Sequence, residues 1–325
     1  MTTPIQIRPY EPGDEVSILD AWNRIFPEQD GLEPRDLGYW AWQYRDNPLR
    51  STQSILALDG NRVVGQYACV PLAAVDEGEP ITIGLVSDAF VLPEYRRRGE
   101  RPGLIIHLAR ALHDSYCGSG ARLASRGHSL LYGYPFPIWR IAQRYLSSEM
   151  VRDMDVLFRE LQAPGFTRLA PVPGVVVERL EKAGAAGDSL WDTVKDEIRF
   201  GLKRDGAWLD WRYAEHPVNE YRIFLARDEA DGRPRGLAVT VLGRYVTDGA
   251  AILCDWLVPR EDKAAEDALL HAVEAQALED QAIALLAIFP QNEPRFLSFQ
   301  TKGFLVAPPS HFLVMNSFHR HVRYL

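Results

Sequence analysis

Val86-Ser-Asp-Ala-Phe-Val-Leu-Pro-Glu-Tyr-Arg-Arg-Arg-Gly-Glu-Arg-Pro-Gly103 runs directly into Leu104-Ile-Ile-His-Leu-Ala-Arg-Ala-Leu112. The first residues read as a strand, the centre as a tight turn rich in Arg and Gly, and the last as the start of a helix. Leu104, Leu108 and Leu112 share one face of that helix and would pack on a sheet. A helix start presents free N–H groups and the positive end of the helix dipole, which together make an anion site. Arg96, Arg97, Arg98 and Arg101 add positive charge. Gly99 and Gly103 let the backbone approach a phosphate closely, and Pro102 suits the first helical position. An arginine cluster alone reads as a solvated turn. The strand–turn–helix setting makes it a phosphate-binding candidate.

Working outward, the chain repeats itself. An offset of 169 positions superposes Trp22 on Trp191, Trp42 on Trp211, Tyr44 on Tyr213 and Pro48 on Pro217. With eight tryptophans in the chain, two coincident pairs at one offset point to duplication. Each copy reads as a short strand (5–8; 175–178), a helix carrying the first Trp, and an aromatic helix ending before Pro48 or Pro217. Hairpin strands follow at 54–58 and 62–70 around Asp59-Gly60-Asn61, and at 221–227 and 235–242 around Asp231-Gly232. A further strand (81–92; 250–258) enters a helix (103–115; 264–278). A last strand then ends in Tyr134-Pro135 or Phe289-Pro290. Paired strands interleaved with helices give a mixed α+β fold. Pro164 to Gly174, with three prolines, is the expected linker.

The 325 residues carry 44 acidic and 36 basic side chains, a net charge of −8 that argues against nucleic acid as a partner. Cys69, Cys117 and Cys254 are too few and too scattered for a disulfide framework or a metal knuckle. No signal-peptide pattern opens the chain, and the longest apolar run, 282–289, is too short to span a bilayer. The expectation is a cytoplasmic protein with no metal and no membrane partner.

The turn and its flanks resemble the GNAT acyltransferase superfamily. Its signature is a strand ending V-x-P-x-Y, followed by R-x-x-G-x-G/A at a helix start that holds the pyrophosphate of acyl-CoA. Val91, Pro93, Tyr95, Arg96 and Gly99 match in register; Arg101 stands where Gly or Ala is usual, and Glu100 adds a carboxylate. The V-V-G-Q-Y strand (63–67) and the Y-G-Y-P strand end (132–135) extend the likeness. The second copy retains Phe289-Pro290-Gln291-Asn292 and Lys302-Gly303-Phe304 but reads P-R-E-D-K-A-A-E-D-A (259–268) in place of the phosphate loop. Its four carboxylates would repel a pyrophosphate.

The resemblance implies two tandem GNAT-like domains, each a mixed, mostly antiparallel twisted sheet flanked by helices. They would span 1–163 and 175–325, joined by the 164–174 linker, with acyl-CoA on the first. It places acyl-CoA against Phe90, Val91, Leu92, Arg96, Arg97, Arg98, Gly99, Glu100, Arg101 and Gly103. The implied reaction is direct transfer of an acyl group to a primary amine. With a Lys-like pKa of about 10.4, fewer than about one such amine in a thousand is neutral at pH 7, so a base is required. Asp88 is the acidic candidate. It can also be read as a carboxylate bracing neighbouring strands, which its echo Asp255 in the loop-less copy favours. In the family a backbone N–H near the end of the fourth strand receives the oxyanion, here between Phe90 and Leu92. A Tyr on the last helix often serves as acid, here Tyr145, with Tyr134 second. Trp40 has no Trp counterpart in the second copy; it is either core or a wall of the acceptor pocket. Two rivals remain at this stage: a non-catalytic acyl-CoA or metabolite-binding scaffold, and a transferase using charged tRNA.

Overall fold

The computed structural model describes residues 4–26, 33–96, 102–134, 139–308 and 311–319. Among them the strands follow as β1 Gln6–Pro9, β2 Gln53–Asp59, β3 Arg62–Asp76, β4 Glu79–Val91, β5 Leu130–Gly133, β6 Glu149–Asp153 and β7 Val156–Glu160. Then come β8 Val175–Leu180, β9 Phe200–Leu202, β10 Arg222–Asp228, β11 Pro234–Tyr245, β12 Thr247–Leu257, β13 Ala284–Ala287, β14 Leu305–Ala307 and β15 Phe312–Ser317. Two compact units result. One takes residues within 1–152, 200–202 and 313–325; the other takes 153–199 and 203–312.

The first sheet runs β1-β2-β3-β4-β5-β15-β6, with β9 added to β3. Helices α1 (Glu15–Ile25), α2 (Leu37–Trp40), α3 (Leu104–Tyr116) and α4 (Trp139–Leu146) belong to this unit. The helix α3 buries Ile106, Leu108, Ala109 and Leu112. Only β4–β5 is parallel among the pairings described in it. The second sheet runs β14-β7-β13-β12-β11-β10-β8. Its helices are α5 (Gly184–Val194), α6 (Gly206–Leu209), α7 (Lys263–Glu279) and α8 (Pro294–Thr301). The buried face of α7 packs Leu269, Leu270 and Val273 into a core with Leu285, Phe299 and Phe304.

The duplication is visible in atomic detail. Asp36 caps α2 by accepting from the Tyr39 N–H, and Asp205 caps α6 by accepting from the Trp208 N–H. Each short helix then widens into a single π-helical turn, at Ala41–Arg45 and at Asp210–Ala214. A Cβ on Gly65 would stand 3.1 Å from Leu108 Cδ1 and 3.2 Å from Val91 Cγ2; one on Gly236 would stand 3.0 Å from both Leu269 Cδ1 and Val258 Cγ2. The same close approach of helix to strand demands glycine in each copy.

The structure departs from the expected boundaries at both ends of the repeats. β7, within the expected first domain, pairs with β13 and β14 in the second sheet. β15, within the expected second domain, pairs with β5 in the first. Short apolar strands such as Val156-Leu-Phe and Phe312-Leu-Val specify burial but not which sheet buries them. The linker after β7 is fastened. Arg159 pairs with Glu274 at 2.8 Å and donates to the Thr167 carbonyl, while Leu169 N–H donates to Glu274 Oε1 at 2.7 Å. The helix after the arginine turn starts at Leu104 with Gly103 as its cap, so Pro102 stands just outside it.

Candidate active site

The site begins where two parallel strands part. β4 and β5 pair at Ile83/Leu130, Gly84/Leu131 and Leu85/Tyr132, and no register beyond that point is shared among the described residues. β4 nevertheless continues to Val91 beside β3. A bulge lies on this unaccompanied stretch: Gln66 faces Phe90 and Ala68 faces Ser87, so Tyr67 spans two residues, Asp88 and Ala89. Asp88 has φ +53°, a left-handed conformation that costs an ordinary L-residue roughly 1–2 kcal/mol and that Asp tolerates better than most.

The Asp88 side chain shows what holds it there. Oδ1 accepts from Trp22 Nε1 at 3.1 Å. Oδ2 accepts from Arg35 Nη1 at 2.5 Å, Tyr44 OH at 2.6 Å and Gln43 Nε2 at 3.3 Å. The carboxylate is 9% exposed and its guanidinium partner 19%. Arg35 lies over the Trp22 and Tyr39 rings, 4.0 and 4.3 Å from their centroids. Burial works against the Arg35 charge, but Asp88 outweighs it and the guanidinium pKa rises. Burial first, and then Asp88, push the Tyr44 hydroxyl well above its usual range.

Past the bulge, Leu92 N–H donates to the Val64 carbonyl at 2.9 Å. Hydrogen-bonded and non-bonded pairs alternate along an antiparallel ladder. Val91, facing Gly65, therefore turns its N–H and C=O away from β3, toward the side that β5 has left. Arg96 Nε takes the Val91 carbonyl at 2.8 Å, and Tyr95 OH bonds Asp59 Oδ2 at 2.7 Å, fixing the turn after the strand. The N-terminus of α3 follows, with its cap Gly103 in extended conformation and open space where a Cβ would stand.

Between the parted strands lies a cleft of about 180 Å³. Val86, Ser87, Asp88 and Ala89 line it from β4, Leu131, Tyr132 and Gly133 from β5, with Tyr67, Tyr134, Val314 and Asn316 completing it. Tyr134 is 45% exposed and meets Tyr132 edge-on, with centroids 6.2 Å apart. Asn316 accepts from Ser148 Oγ at 2.8 Å and donates to the Leu146 carbonyl at 2.6 Å, so the β15 wall is tied to the end of α4.

The structure thus brings Asp88 and Tyr134 to one cleft, with the Phe90–Leu92 backbone just beyond the bulge. Tyr145 is not among the cleft's described lining; its carbonyl accepts from Arg110 at 3.3 Å and its ring lies beside Arg144. Trp40 is 5% exposed and packs between Tyr10 and Tyr44, a core position rather than a pocket wall. Arg97, Arg98, Gly99, Glu100 and Arg101 lie outside the described residues. Sequence reasoning missed Arg35, Gln43, Tyr67, Val314 and Asn316. Arg35 had a signal, since Arg204 stands 169 positions on and pairs with Asp255 at 3.0 Å. No cluster of three or more metal-ligating side chains occurs among the described residues, and no described helix is long and apolar enough to cross a membrane.

Comparison with known proteins agrees with this geometry. The family model of an acetyltransferase (GNAT) domain matches residues 6–145. A protein from Enterococcus faecalis V583 described as a probable N-acyltransferase superposes with a TM-score of 0.72 at 14% identity, covering 97% of this chain and 73% of its own. A GCN5-related N-acetyltransferase from Anabaena variabilis gives 0.69 at 12% identity, with 97% and 73% coverage. A tandem GNAT protein from the clavulanic acid biosynthesis pathway gives 0.58 at 13% identity, covering 98% of this chain and all of that one. No curated protein matches the chain in sequence. Residues 6–145 thus match the model of a GNAT acetyltransferase domain, and the chain as a whole shares the fold of these solved structures, a tandem GNAT protein among them.

Proposed function

We propose that the first unit transfers an acyl group, most simply acetyl, from acyl-CoA to a primary amine by direct attack while both are bound. The observation that carries this reading is the parting of β4 from β5 immediately before the arginine turn and the start of α3. That arrangement offers a thioester an open strand edge and its diphosphate a helix N-terminus. The residues fit the group. Gly103 leaves room for close approach, Arg96 fixes the turn, and Arg97, Arg98 and Arg101 supply charge in the sequence.

In this reading the Val91 N–H receives the thioester oxygen as it gains negative charge. The amine attacks in its neutral form and sheds its proton to solvent at the open mouth of the cleft, while the Tyr134 hydroxyl there gives a proton to the departing thiolate and is reprotonated from solvent. Val86, Ala89, Leu131 and Val314 hold the acyl group and the acceptor's apolar part out of water. The second unit, whose α7 begins with Asp262 as cap and a buried Glu266, acts as scaffold.

Calorimetric titration with acetyl-CoA, octanoyl-CoA and free CoA tests the proposal, alongside an Arg98→Glu/Gly99→Glu variant. Binding by wild type and at least a tenfold loss in the variant support it. Release of free thiol in the presence of a primary amine separates an enzyme from a scaffold that only binds. Absence of binding to all three ligands overturns it.

A further inference from the structure

We infer that Asp88 is a positioning residue. Held by Arg35, Gln43, Tyr44 and Trp22, its carboxylate fixes the left-handed step in β4 that parts this strand from β5 and turns the Val91 N–H toward the cleft. The inference rests on the acyl-transfer reading of that cleft.

Three observations carry it. The first is saturation. Oδ2 receives three donors, within 2.5, 2.6 and 3.3 Å, and Oδ1 receives the Trp22 indole. A carboxylate oxygen has two lone pairs, so Oδ2 is fully taken up by its donors and Oδ1 keeps a single site beside the indole, which commits most of the carboxylate to its anchors. The second is the backbone. Asp88 is left-handed at the one step where a single residue of β3 faces two of β4, so the side-chain anchors act on the bulge that lies three residues beyond the last register shared with β5, Leu85/Tyr132. The third is the internal control supplied by duplication. Asp255 keeps the arginine and tyrosine, bonding Arg204 at 3.0 Å and Tyr213 at 3.1 Å. Its Oδ1, however, also accepts from the Trp256 N–H at 2.7 Å, and its φ is not positive. The residue corresponding to Gln43 is Arg212. The ion pair is therefore common to both copies, whereas the left-handed step accompanies Gln43, which also donates to Ser87 Oγ at 2.8 Å.

The test compares wild type, Asp88→Asn, Gln43→Leu and the double variant. Acetyl-CoA is the donor, and a panel of primary amines from ethylamine to 2-phenylethylamine supplies the acceptors. The readouts are kcat, the dissociation constant of acetyl-CoA, the pH profile of kcat/KM, and the amide signal of Val91. Asn still adopts the left-handed conformation, and Gln43→Leu keeps the buried volume, so both variants should fold. The expected result is a 10- to 100-fold fall in kcat for each single variant, with acetyl-CoA affinity unchanged within twofold. The pH profile keeps its limbs, the Val91 signal moves in both variants, and the double variant is no slower than Asp88→Asn. A loss beyond 1000-fold in Asp88→Asn, with disappearance of the acidic limb and normal turnover in Gln43→Leu, would make Asp88 the base and overturn the inference. Unchanged kcat in both variants, with only a lower melting temperature, would reduce it to a brace. Failure of wild type to turn over any amine sinks the acyl-transfer reading instead, while the Val91 signal still reports whether the anchors set the strand.

Discussion

Trp256 holds in the second unit the strand position that Ala89 holds in the first. Each follows the aspartate tied to an arginine, and each precedes a residue in register on the neighbouring strand, Leu257 opposite Leu237 and Phe90 opposite Gln66. Opposite them the sizes are reversed: Tyr67 spans the bulge beside Ala89, and Ala238 faces Trp256. The Trp256 ring is buried edge-on against Phe299, with centroids 5.4 Å apart. The first copy has a cleft beside its bulge, and the second carries a buried indole at the corresponding strand position.

Ala89→Trp should close the cleft of the first unit. The expected outcome is at least a 50-fold loss of kcat/KM in acyl transfer, because the indole would fill the cleft proposed to take the acyl group. Overpacking of this kind costs about 1–3 kcal/mol, so the variant should remain folded. Steady-state kinetics beside a circular-dichroism melt check both statements.

Tyr134→Phe and Tyr145→Phe should separate. Tyr134 lines the cleft, and removing its hydroxyl should lower kcat by about 10²-fold with little change in acyl-CoA affinity, in the range of a lost general acid. Tyr145→Phe should alter kcat less than twofold. Equal losses in the two would return the acid role to the last helix.

Acid should destabilise the first unit through a buried histidine. His128 is 2% exposed, its Nε2 lies 2.6 Å from Gln53 Oε1, and burial pulls its pKa from 6.5 down to about 4. The folded state keeps this ring neutral while the unfolded chain protonates it. The stabilisation is thus complete above pH 6.5 and is lost as pH falls toward 4, by roughly 3 kcal/mol at about 1.4 kcal/mol per pKa unit. His113, likewise lowered to about 4 by burial, acts in the same direction. Urea midpoints measured from pH 7 to pH 4 should therefore slope steeply in wild type and less so in His128→Asn.

Glu274→Gln should unfold the second unit at lower denaturant. Arg159 would remain buried without its counter-charge, and breaking a buried pair by removing one partner costs about 3–5 kcal/mol. A Glu274→Gln/Arg159→Met double variant should recover part of the loss. Chemical denaturation of the three proteins provides the comparison.

Much of the fold was legible because duplication wrote it twice. The paired tryptophans, the tyrosines at 44 and 213 and the aspartates at 88 and 255 located the elements before any coordinates. The Asp59-Gly60-Asn61 turn and the leucine stripe of α3 were equally readable, since turn chemistry and helical period are local properties. The cleft was harder. Nothing local marks Asp88 as left-handed, because Asp adopts either conformation and the donors that decide it arrive from residues 22, 35, 43 and 44. Trp40 offered no distinction between core and pocket, since an indole suits both. Val314 and Asn316 carried no signal at all: a six-residue apolar strand does not announce which sheet it will join.

The place of β15 has a consequence for how this protein is made. The strand lies between β5 and β6, inside the first sheet rather than at its rim, and it brings Val314 and Asn316 to the cleft. During synthesis the first sheet therefore waits, gapped, until Phe312–Ser317 has left the ribosome. A fragment cut at residue 163 would have the arginine turn and Asp88 yet lack an inner strand. The half that carries the cleft is thus translated before the strand that completes its sheet.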